Sequence, residues 1–207
     1  MNFAKDLIFN KIMQRIVNIY YTSVASSFGT NIYAIHCICG TIIDTLCEII
    51  EGYYSGLLVE YSNDIESKRE GLLKKVDTVQ IYGIIFSSLL LPIFIYPIWY
   101  MLGRAVQWND CNPYIWLYSI EFIATVAGCN YRAYLSANKD TKAIRMMAFI
   151  GGICVRVPFC YFIQKFNMGL FGLSIACGID RVVRAMYLRI YLSLIHISEP
   201  TRLDVIS

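Results

Sequence analysis

Charge is what this chain has least of. Only 16% of its 207 residues are Asp, Glu, Lys or Arg, where a water-soluble domain of this length carries roughly a quarter. Histidine falls to two, and no cysteine pair stands at metal-ligand spacing beside one, so no metal centre is expected. Nucleophile–base spacings, metal-binding helix motifs and phosphate loops are missing too. That removes the usual grounds for an enzyme, and no cofactor is expected. A net charge of +3 is too small to suggest a nucleic-acid partner. A signal peptide is not expected either, because no small-residue cleavage site follows a compact apolar core.

What remains is apolar. Hydrophobic residues make up 57% of the chain, mean hydropathy is +0.51, and several runs approach the ~20 residues that cross ~30 Å of hydrocarbon. The sequence predicts an all-α polytopic membrane bundle of six transmembrane helices over residues 1–191, with spans at 7–28, 32–59, 79–102, 114–135, 143–166 and 168–190. The lipid bilayer of the cell membrane is its expected surrounding. Pro92 and Pro97 fall inside the third span and each removes a helical hydrogen bond there. Seven of eight cysteines lie in apolar segments, as small core residues. Cys111 falls in a predicted loop at 103–113, flanked by Tyr96, Trp99, Tyr100, Tyr114, Trp116 and Tyr118 as an interfacial aromatic belt.

Basic residues set the orientation. Lys5, Lys11, Arg15, Lys68, Arg69, Lys74, Lys75, Lys139, Lys142, Arg145 and Arg189 fall on one side of the six spans, against Arg104 and Lys165 on the other. The positive-inside rule then makes both chain ends cytoplasmic.

Carboxylates inside apolar runs are the candidate functional groups. Asp44, Glu48 and Glu51 share one face of the second span, spaced four and then three residues apart. Glu121 sits inside the fourth. An intramembrane acid without an evident cationic partner is by default a proton or cation site, so Asp44, Glu48 and Glu121 are the expected cation- or substrate-binding residues. Glu51 lies nearest the cytoplasmic end. Arg156 and Asp180 lie at depths differing by about 6 Å at 1.5 Å per residue, a gap an arginine bridges. Arg184 is one turn on from Asp180, so Arg156, Asp180 and Arg184 are expected to form a structural or coupling ion pair.

The run SANKDTKAIRMM, then GGICVRVPFCYFI, then MGLFGLSIACGIDRVVRAMYLRIY resembles the multidrug and toxic compound extrusion (MATE) transporters. That family has a polar turn ending D-T-K, an R-x-P in the following helix, and G-L-x-G opening a last helix with D-R-x-x-R. GTNIYAIHCI is similar to its G-T-x-x-x-A-x-H turn. The resemblance implies one six-helix lobe of a twelve-helix, alternating-access transporter, here the second lobe, with the first six-helix lobe as its missing partner. It implies H⁺ or Na⁺ as coupling ion and cationic or aromatic small molecules as substrates. Two rival readings are a lipid-linked glycan flippase of the same superfamily, whose cavity would be basic, and a membrane assembly subunit with the acids at interfaces. Residues 192–207, beginning LSLIHISEPTR, resemble a translated sequencing adapter rather than native chain, so His196 and Glu199 are set aside as site residues.

Overall fold

The computed structural model describes residues 2–66, 72–102 and 106–198. Every element in it is helical: α1 (Asn2–Ser27), α2 (Thr30–Glu66), α3 (Leu72–Met101), α4 (Trp108–Ala137), α5 (Thr141–Lys165) and α6 (Gly169–Ser198). Within α5, Ile150–Arg156 winds as a π-helix. Lys68, Arg69 and Arg104, on which part of the expected orientation rests, lie outside the described residues, as does everything from Glu199 onward.

The sequence dictates the breaks between rods. Gly29, at φ 101°, turns α1 into α2 through two residues. Asn167 and Gly169, at φ 51° and 54°, reverse the chain between α5 and α6, and the Met168 amide returns to the Ile163 carbonyl at 3.1 Å. Between α4 and α5, Lys139 takes a left-handed conformation and Asp140 becomes the N-cap. Its Oδ1 accepts from the Ala143 amide at 3.2 Å, and its Oδ2 from the Tyr191 hydroxyl at 2.8 Å.

Helix α4 lies at the centre, packed against α2, α3, α5 and α6. Small residues let it approach α6: the Cβ direction of Gly128 faces Ala185 at 3.8 Å. Two apolar clusters result, one around Ile42, Ile43, Ile115 and Leu173, the other around Leu57, Tyr61, Leu135 and Leu188. The second cluster includes Leu192, because α6 runs through the expected boundary at 191.

Among the described residues, three helices are long and apolar enough to cross a membrane: Thr30–Glu66, Lys74–Met101 and Thr141–Lys165. Helices α1, α4 and α6 reach 26, 30 and 30 residues, but polar and charged side chains dilute them. The surface is inverted relative to a water-soluble protein. Ile81, Ile85, Phe86, Leu89 and Ile93 of α3 stand exposed, while Asn130, Ser174 and Asp180 are wholly buried.

The loop expected at 103–113 is shorter than its composition suggested. Trp108 opens α4 by packing on Tyr96 and Trp99, with ring centroids 5.3 Å away in each case, and Trp99 donates to the Val106 carbonyl at 3.1 Å. Cys111 is therefore a buried helical residue and not a loop thiol. Tyr118 is not part of an interfacial belt either; it is buried and turned inward.

Asp140→Ala removes the α5 cap and Tyr191's acceptor together, and should lower unfolding free energy in detergent by about 1–2 kcal/mol. Tyr191→Phe should cost less. Thermal unfolding of the two variants beside wild type measures both.

Candidate functional site: a buried ionic cluster beside a polar cavity

Helix α6 supplies the cluster's centre. Asp180 has 0% exposure, and Arg156, Arg184 and Glu121 keep 6%, 7% and 8%. Arg184 grips Asp180 with two bonds, Nε to Oδ1 at 2.6 Å and Nη2 to Oδ2 at 3.0 Å. Arg156, from the end of the π-helical stretch, reaches Asp180 Oδ2 at 2.8 Å. It also donates to Asn18 of α1 at 2.9 Å and lies 5.4 Å from the centroid of the Tyr21 ring. Four helices thus meet around one guanidinium.

Glu121 was expected to lack a cationic partner, and this is corrected. Arg181 Nε donates to its Oε1 at 3.1 Å, and Arg156 Nη2 stands 3.8 Å from the same oxygen. The expected link of Arg156 to Asp180 and the stacking of Arg184 one turn on are both present in the geometry.

The backbone of α5 is shaped to admit this cluster. A Cβ on Gly151 would overlap Arg184 Nε and Asp180 Oδ1, so only glycine lets α5 lie against the ion pair. Gly151 and Gly152 open the π-helical stretch, the Val157 amide bonds the Gly152 carbonyl five residues back, and Pro158 has no amide to restore α-helical spacing.

Beside the cluster opens a polar cavity of about 330 Å³. Arg156, Arg181 and Glu121 form its charged floor, and Asp44, Thr41 and His36 line the α2 wall. His36 Nδ1 shares a 2.6 Å hydrogen bond with the Tyr118 hydroxyl, and its ring meets Tyr21 edge-on at 5.1 Å. Tyr21 in turn donates to the Leu173 carbonyl at 2.8 Å and accepts from the Cys177 thiol at 3.1 Å.

The three acids expected on one stripe of α2 have different surroundings. Asp44 lines the cavity and makes no ion pair among the described residues. Glu48, one turn on, is exposed and outside the cavity lining. Glu51 is 48% exposed and paired with Arg132 at 2.7 Å, whose guanidinium lies over the Tyr54 ring. Residue spacing alone did not single out Arg181, Asn18, His36 or Gly151. The histidine ending the G-T-x-x-x-A-x-H turn and the first arginine of D-R-x-x-R were the available signals. No group of three or more His, Cys, Asp or Glu among the described residues could hold a metal ion.

No family model, no curated protein and no solved structure matches this chain.

Removing one partner of a buried, hydrogen-bonded ion pair costs about 3–5 kcal/mol, whereas half-exposed pairs are worth up to about 1 kcal/mol. Asp180→Asn should therefore destabilise the protein by about 3–5 kcal/mol and Glu51→Gln by less than about 1 kcal/mol. Gly151→Ala should destabilise it in the direction of Asp180→Asn. Denaturant unfolding in mixed micelles reads all three.

Proposed function

We propose that this chain is one lobe of an alternating-access, cation-coupled exporter of cationic or aromatic small molecules. In this reading six helices span the cell membrane with both ends cytoplasmic, and a further six-helix lobe closes the cavity's open side. The observation that carries it is Asp44, a carboxylate that lines the polar cavity and makes no ion pair among the described residues. Held at bilayer depth, such a carboxylate is an attractive point for a cation. The resemblance to MATE transporters supports the same reading, since its motif residues have physical work here. Asp140 caps α5, Gly169 makes the turn before α6, and Arg156, Asp180, Arg181 and Arg184 build the ionic cluster.

Asp44, with no ion pair of its own among the described residues, is the carboxylate a cation would meet in this cavity, while Glu121 is held by Arg181. Tyr21, His36 and Tyr118 supply flat, partly polar surfaces for an aromatic ligand.

The flippase reading draws on Arg156 and Arg181 in the cavity wall. Arg156, Arg181 and Arg184 stand against Asp44, Glu121 and Asp180, three charges of each sign, which leaves no net basic charge for an anionic glycan lipid. In a parent protein carrying both lobes, Asp44→Asn and Glu121→Gln should each reduce proton-driven efflux of a cationic dye by about tenfold or more, a barrier of ~1.4 kcal/mol, at unchanged expression. Glu48→Gln should retain efflux. Full efflux by both Asp44→Asn and Glu121→Gln would refute the exporter.

A further inference from the structure

A second cavity, of about 480 Å³, lies between α2, α3 and α4 and shares no lining residue with the polar one. Tyr53 of α2, Phe86 and Phe94 of α3 and Phe122 of α4 give it aromatic walls, and no charged side chain lines it. Phe86 and Phe94 also stand exposed, so the cavity communicates with the outer apolar face of α3. Behind its wall is an amide with nothing to bond. Asn130 of α4 has 0% exposure, and neither its Nδ2 nor its Oδ1 has a hydrogen-bond partner among the described residues. Burying a polar group in that state is costly, and protein interiors rarely do so. Between this amide and the cavity stands Gly83, itself a lining residue. A Cβ there would come 4.0 Å from Asn130 Nδ2 and 3.7 Å from Val126 Cγ1. Because glycine has none, the wall is thinnest where the amide lies behind it. Ser87, one turn on along α3, is 5% exposed, lines the same cavity and makes no hydrogen bond among the described residues either.

We propose that this cavity binds a neutral aromatic molecule carrying one hydrogen-bonding group, a phenol or an aryl ketone, whose polar group reaches Asn130 through the gap at Gly83. The volume is that of a small-molecule site, and an apolar lining with a few convergent polar groups is the usual make-up of one. Aromatic walls suit a flat ring. A cation would leave water for uncharged apolar walls with nothing to offset the loss. A lipid acyl chain would fill the volume but leave the amide unpaired. The assignment is independent of the exporter reading, since it uses neither Asp44 nor the ionic cluster.

The test photolabels the full chain in lipid nanodiscs with para-hydroxybenzophenone, followed by digestion and mass spectrometry. The expected result is label that saturates with probe concentration and falls on the α2, α3 and α4 residues of the cavity. Asn130→Leu and Gly83→Ala should each raise the half-saturating concentration by about tenfold, the worth of one hydrogen bond. A Cβ at residue 83 meets only ordinary contacts, so Gly83→Ala keeps the fold and decides the matter if Asn130→Leu does not; circular dichroism checks both. A quaternary-ammonium benzophenone should not compete. Label that rises linearly and spreads over the exposed face of α3 is partition into lipid alone, and overturns the proposal. So does half-saturation unmoved in the folded variants, which leaves the amide to an ordered water, or equal competition by the ammonium compound.

Discussion

A carboxylate with no solvent exposure, held between two guanidinium groups, is the constraint on which the rest of this structure depends. An ion in a low-dielectric interior costs several kcal/mol unless its partners are close and well aligned. Asp180 meets that demand with Arg184 from its own helix and Arg156 from α5. Because Arg156 also reaches Asn18 and stands near Glu121, the same requirement ties α1 and α4 to the pair. The departure of α5 from α-helical spacing follows. Its backbone passes where a side chain would overlap Arg184 and Asp180; the glycines of that stretch allow the passage, and Pro158 follows just after it.

The same cluster sets the electrostatics of the cavity. Arg156, Arg181 and Arg184 balance Asp180, Glu121 and Asp44 in number, but pairing is uneven. Asp180 holds two arginines, Glu121 is bonded to Arg181, and Asp44 is left facing the cavity without one. The outer surface of α3, with Ile85, Phe86 and Leu89 exposed, suits hydrocarbon. Polar interior and apolar exterior are what a bilayer demands of a bundle that encloses a hydrophilic chamber.

Much of this was legible in the sequence, for identifiable reasons. Helix number follows from the apolar runs and their glycine and polar breaks. The meeting of Arg156 with Asp180 follows from rise per residue, since two antiparallel helices place those residues at similar depth. The partner of Glu121 was not legible. Arg181 is next to Asp180 in sequence but about 100° round the helix, and its target depends on how α6 is rotated against α4. Asp44 and Glu48 share a helical stripe, yet only a neighbouring helix decides which of them borders the cavity. Tyr118 and Cys111 looked interfacial because aromatic residues and a proline surround them; the packing of Trp108 on Trp99 extends α4 and carries both inward. Nothing in local propensity marks the π-helical stretch, which answers to the ion pair behind it.

Everything rests on charged groups being held at membrane depth by a protein-walled, water-accessible chamber. Spin labels at Thr41, in the cavity wall, and at Phe86, on the outer face of α3, can be compared with one at Asn138, in the turn after α4. Power saturation by a water-soluble nickel complex and by oxygen in lipid vesicles reads the three environments. The account predicts nickel access with little oxygen access at Thr41, oxygen access alone at Phe86, and full nickel access at Asn138. Nickel access at Phe86 equal to that at Asn138 would place the bundle in water and contradict it.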